Sequence, residues 1–135
     1  LPMGGILASE RCRNVFTPGT HATTFGGNPI CAAAAQVVLE ILDDSLLTEV
    51  TEKGAYIRER IERMDLECLG GTRGLGMMIG VEVKRPYNNK ELAARLMEQG
   101  LLVLTAGRAL RLLPPLTIRR EEIDKGLTIL EQALA

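Results

Sequence analysis

The segment His21-Ala22-Thr23-Thr24-Phe25-Gly26-Gly27-Asn28-Pro29 holds the densest set of groups able to bind a ligand. Hydroxyls and glycines stand directly before a helix start, because Asn is a favoured N-cap and Pro is pre-set for the first helical position. The first turn of a helix offers unpaired N–H groups and a partial positive charge, so it attracts anions. Glycines let the backbone approach an oxyanion closely, and the Thr hydroxyls add donors. The chemistry on offer is phosphate or carboxylate binding; a Gly-rich turn that only delivers the chain to its N-cap is the plain alternative. Arg111 is the second candidate, a cation within the apolar run Ala109-Leu110-Arg111-Leu112-Leu113-Pro114-Pro115. Its planar fork suits a carboxylate bidentately; the alternative is an Arg on the exposed face of an edge strand. A third segment, Gly71-Thr72-Arg73-Gly74-Leu75-Gly76, has the glycines of a dinucleotide fingerprint in reversed order. That fingerprint works only with a strand before it and a helix after it. Here a strand follows, so a tight turn is expected instead.

The missing groups narrow the chemistry further. His21 is the only imidazole and there is no nucleophile elbow, so acyl transfer lacks its usual parts. Lys53, Lys84, Lys90 and Lys125 all read as surface lysines, with no apolar setting to lower an amine pKa. Cys12, Cys31 and Cys68 are odd in number and form no Cys-x-x-Cys pair, which argues against both a zinc site and a disulfide framework. They point to a reducing, cytoplasmic setting, and Cys31, in an Ala-rich stretch, reads as a small buried hydrophobe. Taken alone, the chain holds ligand-contacting groups but no catalytic residue and no metal site.

Regular elements must position these groups. Ile30, Ala33, Ala34, Val37, Val38 and Ile41 mark one face of a helix after Asn28-Pro29. Asp43-Asp44-Ser45 breaks it and caps a second helix, with Leu46, Leu47, Val50, Gly54, Ile57, Ile61 and Met64 on its apolar side and charges on the other. From Met77 to Val83 the pattern alternates, as a strand requires. Asn88 and Asn89 cap a helix carrying Leu92 and Leu96, which Gly100 ends. Leu101 to Leu104 and Ala109 to Leu112 read as strands across the Ala106-Gly107 turn, and Pro114-Pro115 stops the second. A last helix from near Arg119 carries Ile123, Leu127, Leu130 and Leu134. The sum is an α/β fold, with helices packed on a small mixed or antiparallel sheet.

The chain has 135 residues, 46% hydrophobic and 24% charged, and a formal net charge of −1. That length suits one domain, and that charge offers no footprint for nucleic acid or an anionic membrane. No apolar run approaches the roughly 20 residues that cross a bilayer. Leu1-Pro2 opens the chain instead of Met and without a signal peptide, so a piece of a longer protein is expected. Aromatic residues are 3%, which leaves the core to aliphatic side chains.

Three stretches together resemble one family. Thr23-Thr24-Phe25-Gly26-Gly27-Asn28-Pro29 is similar to the S/T-T-F/Y-G-G-N-P segment of class III, pyridoxal-phosphate-dependent aminotransferases. Gly74-Leu75-Gly76-Met77-Met78-Ile79-Gly80 looks like a strand of their small domain. Leu102-Val103-Leu104-Thr105-Ala106-Gly107 with Leu110-Arg111-Leu112-Leu113-Pro114-Pro115-Leu116 is closest to the arginine-biosynthesis branch. The resemblance runs in order along the whole chain. It implies a fold type I transferase, a homodimer whose subunits build each active site together, moving an amino group between an amino acid and a 2-oxo acid. It implies a large-domain strand and cofactor-phosphate loop over 1–28, long helices over 29–64 and the small α/β domain over 65–135. Thr24 matches the threonine that hydrogen-bonds the pyridoxal 5′-phosphate of the neighbouring subunit, and Arg111 the arginine that grips a substrate carboxylate. Leu1-Pro2-Met3-Gly4-Gly5 matches a strand entry that follows the Schiff-base lysine, so that lysine is expected upstream of Leu1 and this polypeptide is expected to be inactive alone. His21 fits the pattern without an implied role. Other members of the family, with different amino donors, and a non-catalytic binding or dimerisation module are the alternatives.

Overall fold

A computed structural model describes all residues, 1–135. The chain divides into two compact units, Leu1–Asp43 and Asp44–Ala135. The division falls between the two helices that the sequence groups over 29–64. Its cause is burial: no residue of the first unit is buried, whereas the second holds the whole core.

In the first unit the only regular elements are a short 3-10 turn, Glu10–Cys12, and helix α1, Pro29–Ile41. The strand expected at its start does not form; residues 1–9 have no regular structure. A strand needs a neighbour to take its N–H and C=O groups, and none of the sheet's strands comes from this segment. Helix α1 begins as expected, with Asn28 Oδ1 accepting the N–H groups of Ile30 (3.0 Å) and Cys31 (3.1 Å). No residue of α1 is buried, which corrects the reading of Cys31. It is half-exposed, Cys12 is exposed and only Cys68 is buried.

The second unit is a two-layer α/β arrangement. Its elements are α2 (Asp44–Arg63), β1 (Leu69–Leu75), β2 (Met78–Val83), α3 (Asn89–Glu98), β3 (Leu104–Ala106), β4 (Ala109–Leu112) and α4 (Arg120–Leu134). The sheet runs in the order β1-β2-β4-β3, and every pair is antiparallel. Ile79, Val81 and Val83 alternate along β2 and are almost fully covered, as is Leu110 on β4. They meet Ile57 and Ile61 of α2, Leu92 and Leu96 of α3, and Ile123, Leu127 and Leu130 of α4. Each such side chain, fully buried, contributes about 1.5–3 kcal/mol of transfer free energy. Tyr56 and Arg60 of α2 also tie to α4: the Tyr56 hydroxyl donates to Asp124, Arg60 lies 3.1 Å from the same carboxylate, and the Arg120 guanidinium sits 3.3 Å from the Tyr56 ring centroid.

Two strands depart from expectation. The glycine segment 71–76 is mostly strand β1 itself, and its tight turn is confined to Gly76-Met77, where Gly76 has φ +52°. No helix follows it, so the segment is not a dinucleotide fingerprint. Strand β3 starts at Leu104 rather than Leu101. The Leu101 N–H is held by Leu96 O (2.9 Å) at the end of α3, and the turn at Gly107 sets the register Ala106↔Ala109. No helix is long and apolar enough to cross a membrane.

Candidate functional site

Each unit carries one of the two candidates. In the first, the loop before α1 is built from consecutive turns: Gly26 N–H donates to Thr23 O (3.2 Å) and Asn28 N–H to Phe25 O (3.2 Å). Asn28 already takes the first free donors of α1, so an anion here would meet other groups than the helix terminus itself. Those left are the Thr24 hydroxyl and the N–H groups of Thr24, Phe25 and Gly27, none of which has an acceptor within the chain. A cavity of about 520 Å³ is lined by Pro2, Met3, Gly4, Thr23, Phe25, Gly26, Gly27, Asn28 and Cys31. It has no acidic residue. Hydroxyl and amide donors without a nearby carboxylate fit phosphate oxygens. Thr24 is exposed and is not among the lining residues. The His21 ring stands 5.6 Å from that of Phe16, and nothing in that contact gives it a chemical role.

In the second unit, Arg111 sits near the middle of β4, between Gly80 of β2 and Leu104 of β3. β4 is an inner strand, not an edge, because β3 pairs outside it. Leu110 faces the helices and is fully covered, so Arg111, its neighbour, projects from the opposite face. The Arg111 side chain is half-buried, and its Nε is covered with no hydrogen-bond partner. A covered donor left without an acceptor costs roughly 1–3 kcal/mol. None of the ion pairs of the chain involves Arg111. The arrangement is a guanidinium held in place by the sheet with donors ready for a carboxylate. An apolar cavity of about 270 Å³, bordered by Ile57, Leu112, Pro114, Ile118 and Leu127, does not include it.

Burial pushes the Cys68 thiol pKa up, and its S–H points to Leu134 O (3.8 Å). Lys84, Lys90 and Lys125 are exposed as expected. Lys53 is largely covered along its stem, with its ammonium 3.0 Å from Glu49. One residue escaped the sequence reading: Arg73, directly opposite Gly80 on the same face as Arg111. The period-2 placement of Arg73 was the available signal, masked by the glycines around it, which are depleted in strands.

Comparisons with known proteins give a consistent result. The family described as aminotransferase class-III matches residues 1–134. The chain is 40% identical over 135 residues to acetylornithine aminotransferase of Aquifex aeolicus, covering 99% of this chain and 34% of that protein. For the protein of the same name from Bacillus subtilis the values are 39% identity over 137 residues, with 99% and 35% covered. Among solved structures, acetylornithine aminotransferase from Elizabethkingia anophelis superposes with a TM-score of 0.80 at 30% identity, covering 95% of this chain and 35% of that one. Plasmodium falciparum ornithine delta-aminotransferase gives 0.79 at 27% identity, over 89% and 32%. The chain thus spans about a third of the length of the relatives it matches.

Proposed function

The chain belongs to the class-III aminotransferase family, and on that premise we propose that it is the C-terminal third of an acetylornithine aminotransferase. The parent enzyme would move an amino group between N-acetylornithine and 2-oxoglutarate in arginine biosynthesis. The observation that carries this reading is identity near 40% along essentially the whole chain to proteins of that name. Ornithine, succinylornithine and 4-aminobutyrate aminotransferase are the alternatives; solved ornithine enzymes match at 27–32% identity, below the roughly 40% reached with acetylornithine enzymes in sequence.

In this reading residues 1–28 belong to the large domain and the cofactor-phosphate loop, and 65–135 to the small domain. The lysine that the family uses belongs to the portion of the relatives that this chain does not span. This segment therefore supplies binding groups and no catalytic residue. Pyridoxal 5′-phosphate, when bound, supplies the electron sink for amino transfer. Thr24 donates its hydroxyl to a phosphate oxygen of the partner subunit's cofactor, in a homodimer. Arg111 receives a substrate carboxylate on its fork, which fixes the orientation of the reacting end. The unpartnered Arg111 Nε supports that assignment. A cytoplasmic, reducing setting belongs to the same reading, supported by three free cysteines.

Substitutions in the full-length enzyme separate the two roles. Thr24→Ala should weaken cofactor retention on the order of tenfold, the loss of one hydrogen bond to a charged group. Arg111→Ala should raise KM for the dicarboxylate 2-oxo acid by on the order of tenfold to a hundredfold and leave cofactor retention unchanged. Both follow from equilibrium dialysis of the cofactor beside steady-state kinetics. Wild-type behaviour of both variants would refute the assignments.

A further inference from the structure

Strand β4 carries Arg111 but is only four residues long, and its outer neighbour β3 is three. A hairpin this short is marginal by itself. Its turn is the pair Gly107 and Arg108, with Gly107 at φ +59°, as the first position of a II′ turn requires. A one-residue slip of register sends every side chain of a strand to the opposite face. Such a slip in β4 would carry Arg111 from the open face of the sheet to the face packed on the helices.

Helix α3 grips this hairpin at both ends. At one end the Leu101 N–H donates to Leu96 O (2.9 Å), just before β3. At the other, the Asn89 side-chain amide donates to Gly107 O (3.0 Å) and Ala109 O (3.1 Å), the carbonyls on either side of Arg108. Two carbonyl acceptors employ both hydrogens of that amide. Asn89 is itself held in place as the first residue of α3, whose cap Asn88 accepts the Lys90 N–H (2.9 Å) and whose Leu92 and Leu96 are buried in the core. From β2, the Val83 N–H donates to Arg108 O (3.2 Å), and Arg108 Nη2 donates to Val83 O (3.1 Å). Ala109 precedes Arg111 by two residues, about 7 Å along the strand. Arg111 forms no ion pair within the chain and its Nε has no partner, so the strand sets where its fork stands. We propose that Asn89 is a positioning residue for Arg111: its amide locks the β3–β4 register and thereby places the guanidinium for the substrate carboxylate. The proposal rests on the reading of Arg111 as a carboxylate clamp. Asn89 touches no substrate and acts through β4.

Two variants test it. Asn89→Asp keeps the size of the side chain and adds a favourable negative charge at the helix start, yet it turns a double donor into an acceptor facing two carbonyls. Asn89→Ala removes the donors and leaves both carbonyls to water. In the full-length enzyme each should raise KM for the 2-oxo acid by about three- to tenfold, more than it lowers kcat, with cofactor retention unchanged. A double-mutant cycle decides the mechanism. In an Arg111→Ala background the Asn89 variants should add no further rise in KM, because the group they displace is gone. In the 135-residue chain, amide hydrogen exchange should quicken over residues 104–112 by a larger factor than in α4. Wild-type KM in both variants, an equal rise in KM in the Arg111→Ala background, or exchange that quickens uniformly overturns the proposal and leaves the Arg111 clamp standing. An unchanged KM in Arg111→Ala alone overturns both.

Discussion

A Cβ placed on Gly54 would stand 2.1 Å from the carbonyl oxygen of Gly76. Gly54 lies within α2, where Ala is ordinarily the better helix former by about 1 kcal/mol. Here the atom in the way is backbone, at a hairpin turn with little freedom to move, and overpacking costs about 1–3 kcal/mol. Gly54→Ala should therefore destabilise the protein by up to about 2 kcal/mol in urea unfolding. A gain in stability would show that α2 does not lie against that turn. Residue identity was an incomplete guide in the same way at Arg111. Its type announced a carboxylate partner, but only the sheet order shows that it sits on an inner strand with a covered Nε.

Helix α4 illustrates how an element is secured at its end. The Arg119 N–H donates to Glu122 Oε2 (2.9 Å), and the Arg119 guanidinium lies 3.4 Å from the same carboxylate. These bonds, the backbone one first, hold the Glu122 carboxyl below the usual carboxylate range. A carboxyl whose folded-state pKa is lowered adds stability above its unfolded pKa, and that contribution fades as pH falls through the lowered value. Glu122→Gln removes the titration, so the stability gap between wild type and variant should stay constant from neutral pH down to the ordinary carboxylate range and narrow as pH falls through and below it. Thermal melts across that range would show it; parallel curves would refute the link. The helices themselves were legible, since Ile123, Leu127, Leu130 and Leu134 recur at helical spacing and are all buried. Strand β1 was not, because Gly70, Gly71 and Gly74 carry no pattern of their own and depend on pairing with β2.

At the scale of the whole chain, burial is unevenly shared. The core is confined to residues 57–134, and in the first unit Leu1, Ile6, Leu7, Phe25, Ile30 and Leu39 are all exposed. A piece spanning residues 44–135 should consequently unfold cooperatively at a urea midpoint close to that of the full chain. A large drop in midpoint would mean that residues 1–43 contribute to the core. Apolar helix α1 without a core of its own also fits a chain that spans a third of its relatives, since exposed apolar patches of this kind mark surfaces that meet other protein.

The sequence by itself determined the helices, the alternation of β2, the anion-binding composition of the Thr23–Asn28 loop and the suitability of Arg111 for a carboxylate. Those depend on local periodicity, capping and side-chain chemistry. Only the tertiary structure decided that the sheet is wholly antiparallel, that residues 1–9 form no strand, that Cys31 escapes burial and that Arg73 shares a face with Arg111. Each of those depends on which distant segment supplies a hydrogen-bonding or packing neighbour, and that information is absent from any single stretch of chain.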